Sequence, residues 1–449
     1  MHARRPAGLC NRHENSHFIL AMHLQTFHRP WKTRTPIVDE SSWLCAAVFT
    51  LAMASCGGGG GGTPSSAPAV ESTATSTPTA PTTTPPVATA PASPAPAQPA
   101  EFPAVVTAAD CSYRAVVDAV NLAGPGTTVN IPPGHCNWGI AQLVVPAGVN
   151  LQGAGRDRTF IYRVGFAPNT SYVIKFDCSN GRKVVFSGIS LVGNGIGLIQ
   201  DKGLGLLNGC VDFKVSESRF SKFSFSGVYV GDSAKQRGVI FNNEFIENFG
   251  VELMNLGYGV VVFGGGVWPA LELGSQNAVF VEDNYFAGNR HSIASNNGSV
   301  YVFRHNSVVG EDAAKDFAMT DVHGYSTSPV GSRSYEIYDN KYTTNFSSGF
   351  QRTAIGIRGG DGVIFNNTAT TRIKRTVELN AEGFTCGAYP GPGQIRTLYI
   401  WNNSSNPGND QSLNGILNNC ETSIALNRDY FMTPMPGYKA FTYPHPMRK

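Results

Sequence analysis

The chain has no basic tract. Its 34 Lys and Arg stand against 31 Asp and Glu, and removing residues 1–55, which hold six and three of them, leaves 28 of each. A neutral balance with no cationic cluster argues against nucleic acid as a partner. No C-x-x-C pair occurs among the nine cysteines, so the common zinc spacing is missing. The one concentrated apolar stretch, Trp43 to Ala54, is too short to span a membrane. Nor do two-residue Asn-Gly or Asp-Gly hairpins alternate with the strand-like phrases, which disfavours an antiparallel sandwich.

What the chain has instead is a repeated phrase: an apolar or aromatic residue, then an asparagine two or three positions later, then another aromatic or small residue. The copies are Phe241-Asn-Asn243-Glu-Phe245, Val281-Glu-Asp-Asn284-Tyr-Phe286, Phe303-Arg-His-Asn306-Ser-Val308, Ile337-Tyr-Asp-Asn340-Lys-Tyr342, Ile364-Phe-Asn-Asn367-Thr-Ala369 and Ile400-Trp-Asn-Asn403-Ser-Ser405. Degenerate copies place Ser218 and Ile189 at the Asn position. The shortest interval between markers, from Asn284 to Asn306, suits one coil of a three-stranded solenoid, and longer intervals read as that coil plus insertions. Before each marker lies a second alternating run, such as Gly227–Val230 or Ala354–Ile357, closed by Gly, Asn or Asp that tolerate positive φ. Asparagine at one place per coil can pass amide hydrogen bonds along the axis. Apolar residues at 113, 116, 117 and 120 lie on one helix face, ended by Gly124-Pro125-Gly126, and a short helix here would cap the first coil.

The phrase Ile131-Pro-Pro-Gly134, Val149-Asn-Leu-Gln-Gly-Ala-Gly155 and Thr159, followed by Asn-marked coils, resembles the pectate-lyase-like right-handed parallel β-helix superfamily. The ending Asp429-Tyr-Phe, Pro436-Gly-Tyr438 and Tyr443-Pro-His-Pro446 is similar to the tail of secreted bacterial β-helix proteins. The resemblance covers roughly 105–449 and implies an all-β, right-handed parallel β-helix of about nine coils with an N-terminal capping helix. For activity it leaves lyases, hydrolases, epimerases and non-catalytic glycan binders open, because function on such a scaffold lives in the site.

The division expected along the chain is 1–55 as a signal region, 56–100 as a tether and 101–449 as the β-helix domain. Met53-Ala-Ser-Cys56 followed by glycines looks like a bacterial lipoprotein cleavage site, with Cys56 acylated. The long stretch ahead of the apolar run is consistent with a true start nearer Met22. The Gly- then Pro/Thr/Ser/Ala-rich segment that follows buries no core. These features point to export and lipid anchoring at the outer membrane or cell surface, with periplasmic or plainly secreted location as the alternative. The remaining cysteines suggest disulfides by local closure: Cys111–Cys136, Cys178–Cys210 and Cys386–Cys420.

Because a β-helix has a packed interior, chemistry belongs on its outer strips and inserted loops. Arg290-His291, then Asp321-x-His323 with Tyr325 and Arg333, then Arg358 fall on one flank in successive coils. Asp321 and His323 are two apart, where a carboxylate can orient an imidazole and raise its basicity. The expected roles are His323, Asp321 and Tyr325 in catalysis, and Arg290, His291, Arg333, Arg358 and the loop residue Trp268 in binding substrate. The reading is a monomer acting on an acidic polysaccharide by β-elimination: an Arg neutralises the uronate, His323 takes the C5 proton and Tyr325 protonates the leaving oxygen. Polygalacturonase-type hydrolases need a double Asp that is absent here, and Asp321-Val-His-Gly324 is only half of the epimerase Asp-Pro-His motif. Glu311, Asp312, Asp316 and Asp321 are carboxylates that calcium would use, but their spacing does not require it, so the cofactor stays open.

Overall fold

The computed structural model describes residues 102–449 apart from 166–170, 180, 196–199, 232, 234, 251–255, 312–315, 326–329, 371, 383–385, 387–392, 406–415, 419 and 421–422. The chain divides into two units, 1–93 and 94–449. Cys56, Met22 and the tether lie outside the described residues, as does Asp312.

Three parallel sheets of 12, 10 and 10 strands run the length of the second unit. The first runs from Val105–Thr107 to Tyr430–Phe431, the second from Gly134–Gly139 to Ser404–Ser405, and the third from Leu143–Val145 to Ile416–Asn418. Successive strands of the chain visit the three sheets in turn, so each sheet neighbour comes from the adjacent coil. This is a parallel β-helix of ten complete coils. The sequence-based expectation of about nine coils holds to within one among the described residues. The earliest coils carry Pro132-Pro133 and Gly153-Ala154-Gly155 at the corner where later coils carry Asn, so the marker does not count them.

The Asn residues sit at the corner between first and second sheets. The residue before each is left-handed: Asn242, Asp283, His305, Asp339, Asn366 and Asn402 have φ of 54°, 54°, 53°, 55°, 55° and 51°. Local polar residues tolerate that conformation best. Each Asn Oδ1 accepts the backbone N–H of its counterpart one coil earlier, from Asn243 to Asn284 (3.0 Å), Asn284 to Asn306 (3.0 Å), Asn306 to Asn340 (3.0 Å), Asn340 to Asn367 (3.1 Å) and Asn367 to Asn403 (3.0 Å). Each Nδ2 donates to a carbonyl of the preceding coil, as Asn306 does to Val281 at 2.9 Å. The row thus satisfies buried backbone groups that a sharp corner would otherwise strand. A second, shorter row at the next corner joins Asn248 to Asn289, with Nδ2 to Oδ1 at 2.8 Å.

Inside, rings stack from coil to coil. Phe220–Phe245 and Phe245–Phe286 have centroids 5.2 and 4.7 Å apart, and all three side chains are fully buried. Replacing Phe245 by Ala would cost ~3–5 kcal/mol through lost transfer energy and the cavity left behind. The capping helix runs Tyr113–Asn121, with the Ser112 hydroxyl accepting from Ala115 N–H and Val116, Ala119 and Val120 buried on the first coil. Disulfides join Cys111–Cys136, Cys178–Cys210 and Cys386–Cys420.

The C-terminal tail lies against the outer face of the first sheet, where Met435, Tyr438, Phe441 and Met447 pack on a cluster containing Phe280, Val302, Tyr338 and Phe365. Arg304, fully buried, binds Glu282 (Nε to Oε2, 2.7 Å) and donates to the carbonyls of Phe441 (2.7 Å) and Thr442 (2.9 Å). Arg304 is a structural residue that clamps the tail.

Candidate functional site

The site forms on the outer face of the third sheet. Its strands His291–Asn296, Ala318–Val322, Gln351–Ile357 and Ile373–Leu379 come from four successive coils. Register places Ala294, Asp321, Gly356 and Glu378 in one row across them. Alternation turns Thr320 and Val322 inward, where the Thr320 hydroxyl meets the Tyr342 hydroxyl at 3.0 Å. Asp321 therefore faces outward. Gly356, next in the row, has no side chain to cover it. A Cβ there would stand 2.9 Å from the Ala318 Cβ, too close to fit without a shift. The result is a cleft of about 220 Å³ bordered by Arg290, His291, Phe317, Asp321, Arg352, Arg358 and Glu378, among others.

Two consecutive corners aim charged groups at Asp321, and a third places Glu382 behind them. Arg358 brings Nε to Asp321 Oδ1 at 3.1 Å and Nη2 to Oδ2. His323 Nε2 lies 2.9 Å from Asp321 Oδ2, and His323 Nδ1 lies 3.2 Å from Glu382 Oε1. Glu382 also binds Arg358 Nη1 and accepts the Gly324 backbone N–H at 2.9 Å. From the other side, His291 Nε2 stands 3.4 Å from Asp321 Oδ2, while its Nδ1 contacts the Ala318 carbonyl.

Two imidazoles share one carboxylate, and their surroundings push them opposite ways. Burial pushes His291 down to about 3, against the pull of Asp321. It is neutral at pH 7, with the proton on Nδ1 facing the Ala318 carbonyl and Nε2 buried against Asp321. Burial acts the same way on His323, but Asp321 and the hydrogen bonds to Asp321 and Glu382 outweigh it and raise it to about 9. The raised value favours the imidazolium, with Nε2 facing Asp321 and Nδ1 facing Glu382, while Arg358 Nη2, 2.8 Å from Nε2, opposes it. Burial alone would raise Asp321; Arg358, His323 and His291 outweigh it and hold the carboxyl well below its ordinary value. Asp321 is thus a fixed anion between cations.

This environment alters one expected role. Asp321 orients His323 as anticipated, but the same contact and Glu382 keep His323 protonated, so it is placed to give a proton or hold an anion rather than to take a proton. Arg290 reaches the cleft: its guanidinium lies 4.4 Å from the Phe317 ring and donates to the Tyr258 hydroxyl at 3.2 Å. Tyr258, whose pKa burial raises, stays a phenol. Arg333 and Trp268 do not border the cleft. Arg333 binds Asp361 and the Pro269 carbonyl (2.8 Å) and stacks 5.0 Å from Trp268. Trp268 donates to the Gly331 carbonyl at 3.0 Å, and Arg396 covers its ring at 5.3 Å. Tyr325 is half-buried just past the His323 corner, with its backbone against Gly393.

Sequence reasoning did not single out Glu378 and Glu382. The signal was there: Glu378-Leu-Asn380-Ala-Glu382 alternates at the end of a third-sheet strand, one coil after Arg358. Among the described residues no group of three or more His, Cys, Asp or Glu is arranged to hold a metal ion. Asp321 is already surrounded by Arg358, His323 and His291.

No protein-family model matches the chain, and no curated protein sequence matches it. Solved structures do. Alginate lyase from Paenibacillus sp. str. FPU-7 shares 14% identity over 70% of this chain and 98% of its own, with a TM-score of 0.48. Pectin methylesterase from carrot shares 13% over 75% and 90%, with a TM-score of 0.39. The A-module of mannuronan C-5 epimerase AlgE4 from Azotobacter vinelandii shares 12% over 65% and 89%, with a TM-score of 0.28. No residue role transfers at such distances. The three parallel sheets and their coil-by-coil order give this chain the right-handed parallel β-helix fold that its cap phrase and Asn-marked corners resemble.

Proposed function

We propose that this protein is an exported, carbohydrate-active β-helix protein whose third-sheet cleft binds an acidic polysaccharide and cleaves it by β-elimination. The observation that supports this most is Asp321 holding a neutral His291 on one side and a cationic His323 on the other. Pairs of titratable groups pushed apart by their environments are the usual signature of an acid and a base.

In the proposed reaction a uronate carboxylate pairs with Arg290 and Arg358, which withdraw charge and make the C5 hydrogen more acidic. His291 is the base in this reading: its Nε2, buried against Asp321, must turn toward the substrate to take that proton, and Asp321 stabilises the imidazolium that forms. The electron pair left on C5 becomes the C4–C5 double bond as the bond from C4 to the glycosidic oxygen breaks. The leaving oxygen receives a proton from the His323 imidazolium or the Tyr258 phenol. Lipid anchoring through Cys56, with residues 56–100 as a tether, would place a monomeric catalyst at the cell surface.

A hydrolase is the second reading, and one observation favours it. Asp321 and Glu378 flank Gly356 in register, two coil spacings or ~10 Å apart, near the separation of inverting glycosidases. Against it, Asp321 is held ionised and Glu378 is bound by Arg352 and the Thr353 hydroxyl (2.6 Å). One experiment separates the readings. The protein is incubated with a panel of uronate polysaccharides while ultraviolet absorbance and new reducing ends are followed together. Elimination raises both, hydrolysis raises reducing ends alone, and binding without either favours the non-catalytic or epimerising alternatives. His291→Ala and His323→Ala should each abolish the absorbance change, and retained activity in both would remove the assignment.

A further inference from the structure

The outer face of the third sheet changes character along the axis. From the coil of His291 onward it is charged. In the coils before, Tyr172, Leu207, Tyr229, Tyr258 and Val261, joined by Ala294 of the His291 coil, form an apolar cluster on the outside of the solenoid, separate from the main core. Register explains the alignment: Tyr172, Lys202, Ser226, Tyr258 and His291 are consecutive partners in one row, and Gly205, Tyr229, Val261, Ala294 and Asp321 in the next. This largely buried cluster, edged by the half-buried rings of Phe225 and Phe263, therefore leads directly into Asp321 and His291. Above it lies a second trough of about 440 Å³, bordered by the cluster together with Phe225, Phe263 and Asn296 and reaching His323 at its far end. The two clefts share no lining residue, but Tyr258 and His323 of the trough touch Arg290 and Asp321 of the first cleft.

The rings are set edge to face: Phe225–Tyr258 at 5.4 Å and 76°, Tyr229–Phe263 at 5.7 Å and 65°, Tyr172–Tyr229 at 5.9 Å and 62°. Two cationic side chains border this trough: His323 at its far end, and Lys202, which is buried and held over the rings of Phe225 (4.6 Å), Tyr172 (5.4 Å) and Tyr229 (6.0 Å). A carboxylate brought here would lose its hydration against ring faces with no guanidinium fork to receive it. The C–H faces of an uncharged pyranose lose little and gain contact with the rings, and Asn296 and Gln200 at the border can meet hydroxyls.

We infer that the trough is a chain-binding subsite for uncharged sugar units, so that the polysaccharide recognised is a heteropolymer in which neutral glycosyl units flank the uronate, rather than a uronate homopolymer. The inference rests on the proposal that the neighbouring cleft takes an acidic polysaccharide. It goes beyond that proposal in fixing what lies beside the uronate. The polymer runs along the helix axis, one face of the trough per coil at ~4.8 Å steps, with its uronate at Arg290 and Arg358.

Binding decides the matter separately from cleavage. Titration calorimetry on the full chain would compare polygalacturonate and polymannuronate with gellan and deacylated xanthan, whose glucuronates are separated by neutral hexoses. The expected result is at least about tenfold tighter binding of a heteropolymer. Phe225→Ala and Phe263→Ala, both at half-buried rings, should erase most of that preference while leaving homopolymer affinity unchanged. Tyr229→Phe, which keeps the ring, should retain it, whereas Tyr229→Ala should not; thermal melts confirm that each variant is folded. Equal or tighter homopolymer binding, or a preference untouched by all three alanine variants, overturns the inference. Selective heteropolymer binding with no elimination product upholds it and removes only the lyase reading.

Discussion

Asn306 is the place to test whether the amide row holds the coils together. Its Oδ1 accepts from the Asn284 backbone N–H at 3.0 Å, and its Nδ2 donates to the Val281 carbonyl at 2.9 Å. Asn306→Ala strands that N–H and that C=O in a buried corner. The other contacts have replacements: Asn284 Nδ2 keeps the carbonyls of Ile240 and Glu282, and Asn340 Oδ1 keeps the backbone N–H of residue 306. Two stranded buried groups at ~1–3 kcal/mol each predict a loss of ~2–6 kcal/mol. At ~2 °C per kcal/mol for a large domain, that is a fall in the thermal midpoint of ~4–12 °C. Asn306→Ser should lose less, because Ser218 fills the same place in an earlier coil, accepting from Ile189 N–H at 3.3 Å and donating to the Ser216 carbonyl at 2.8 Å. Asn306→Asp should lose more near neutral pH, since a carboxylate would face two acceptors, and recover as acid protonates it. A solenoid can open coil by coil, so hydrogen exchange at the Asn284 amide is the more local reading. Protection there unchanged in Asn306→Ala, with stability within ~0.5 kcal/mol of the parent, would refute the account.

Two further outcomes follow from the charges. Asp321→Asn removes what raises His323, so the imidazole titration followed by NMR should move down from about 9 toward the ordinary value; no movement would place the cause elsewhere. The sign of its stability effect is also set. With a folded value near 9 above an unfolded one of ~6.5, the His323 contribution is complete below ~6.5 and lost as pH rises through 9. The stability gap between the parent and His323→Ala should therefore close on going from mildly acidic to strongly alkaline buffer, and a gap constant with pH would contradict this. Deleting residues 433–449 should uncover the apolar outer face around Phe280 and Phe365 and remove the carbonyls that hold Arg304, giving strong binding of a hydrophobic dye and aggregation. A soluble, dye-silent truncation would show that the tail is not a cover.

The fold was legible because its determinants are local and recur. A left-handed residue followed by Asn at a corner, and short alternating runs closed by Gly or Asp, carry their meaning within a few residues and repeat it coil after coil. Even the three disulfides obey that locality, closing between neighbouring coils or within the cap. Coil number was harder, since corners built from Pro132-Pro133 or Gly153-Ala154-Gly155 do the same work in different letters. The site was only half legible. Asp321 and His323 are two residues apart, so their proximity is written in the chain, and alternation alone turns Asp321 outward. Which arginine reaches them is not. Arg333 and Arg358 look alike in sequence, but the insertion carrying Trp268 draws Arg333 to Asp361 and Pro269, and the third-sheet corner aims Arg358 at Asp321 and Glu382. The protonation states belong wholly to the tertiary structure. His291 and His323 have the same side chain and the same carboxylate beside them. Burial at one, and a second carboxylate 59 residues further along the chain at the other, set one neutral and one charged.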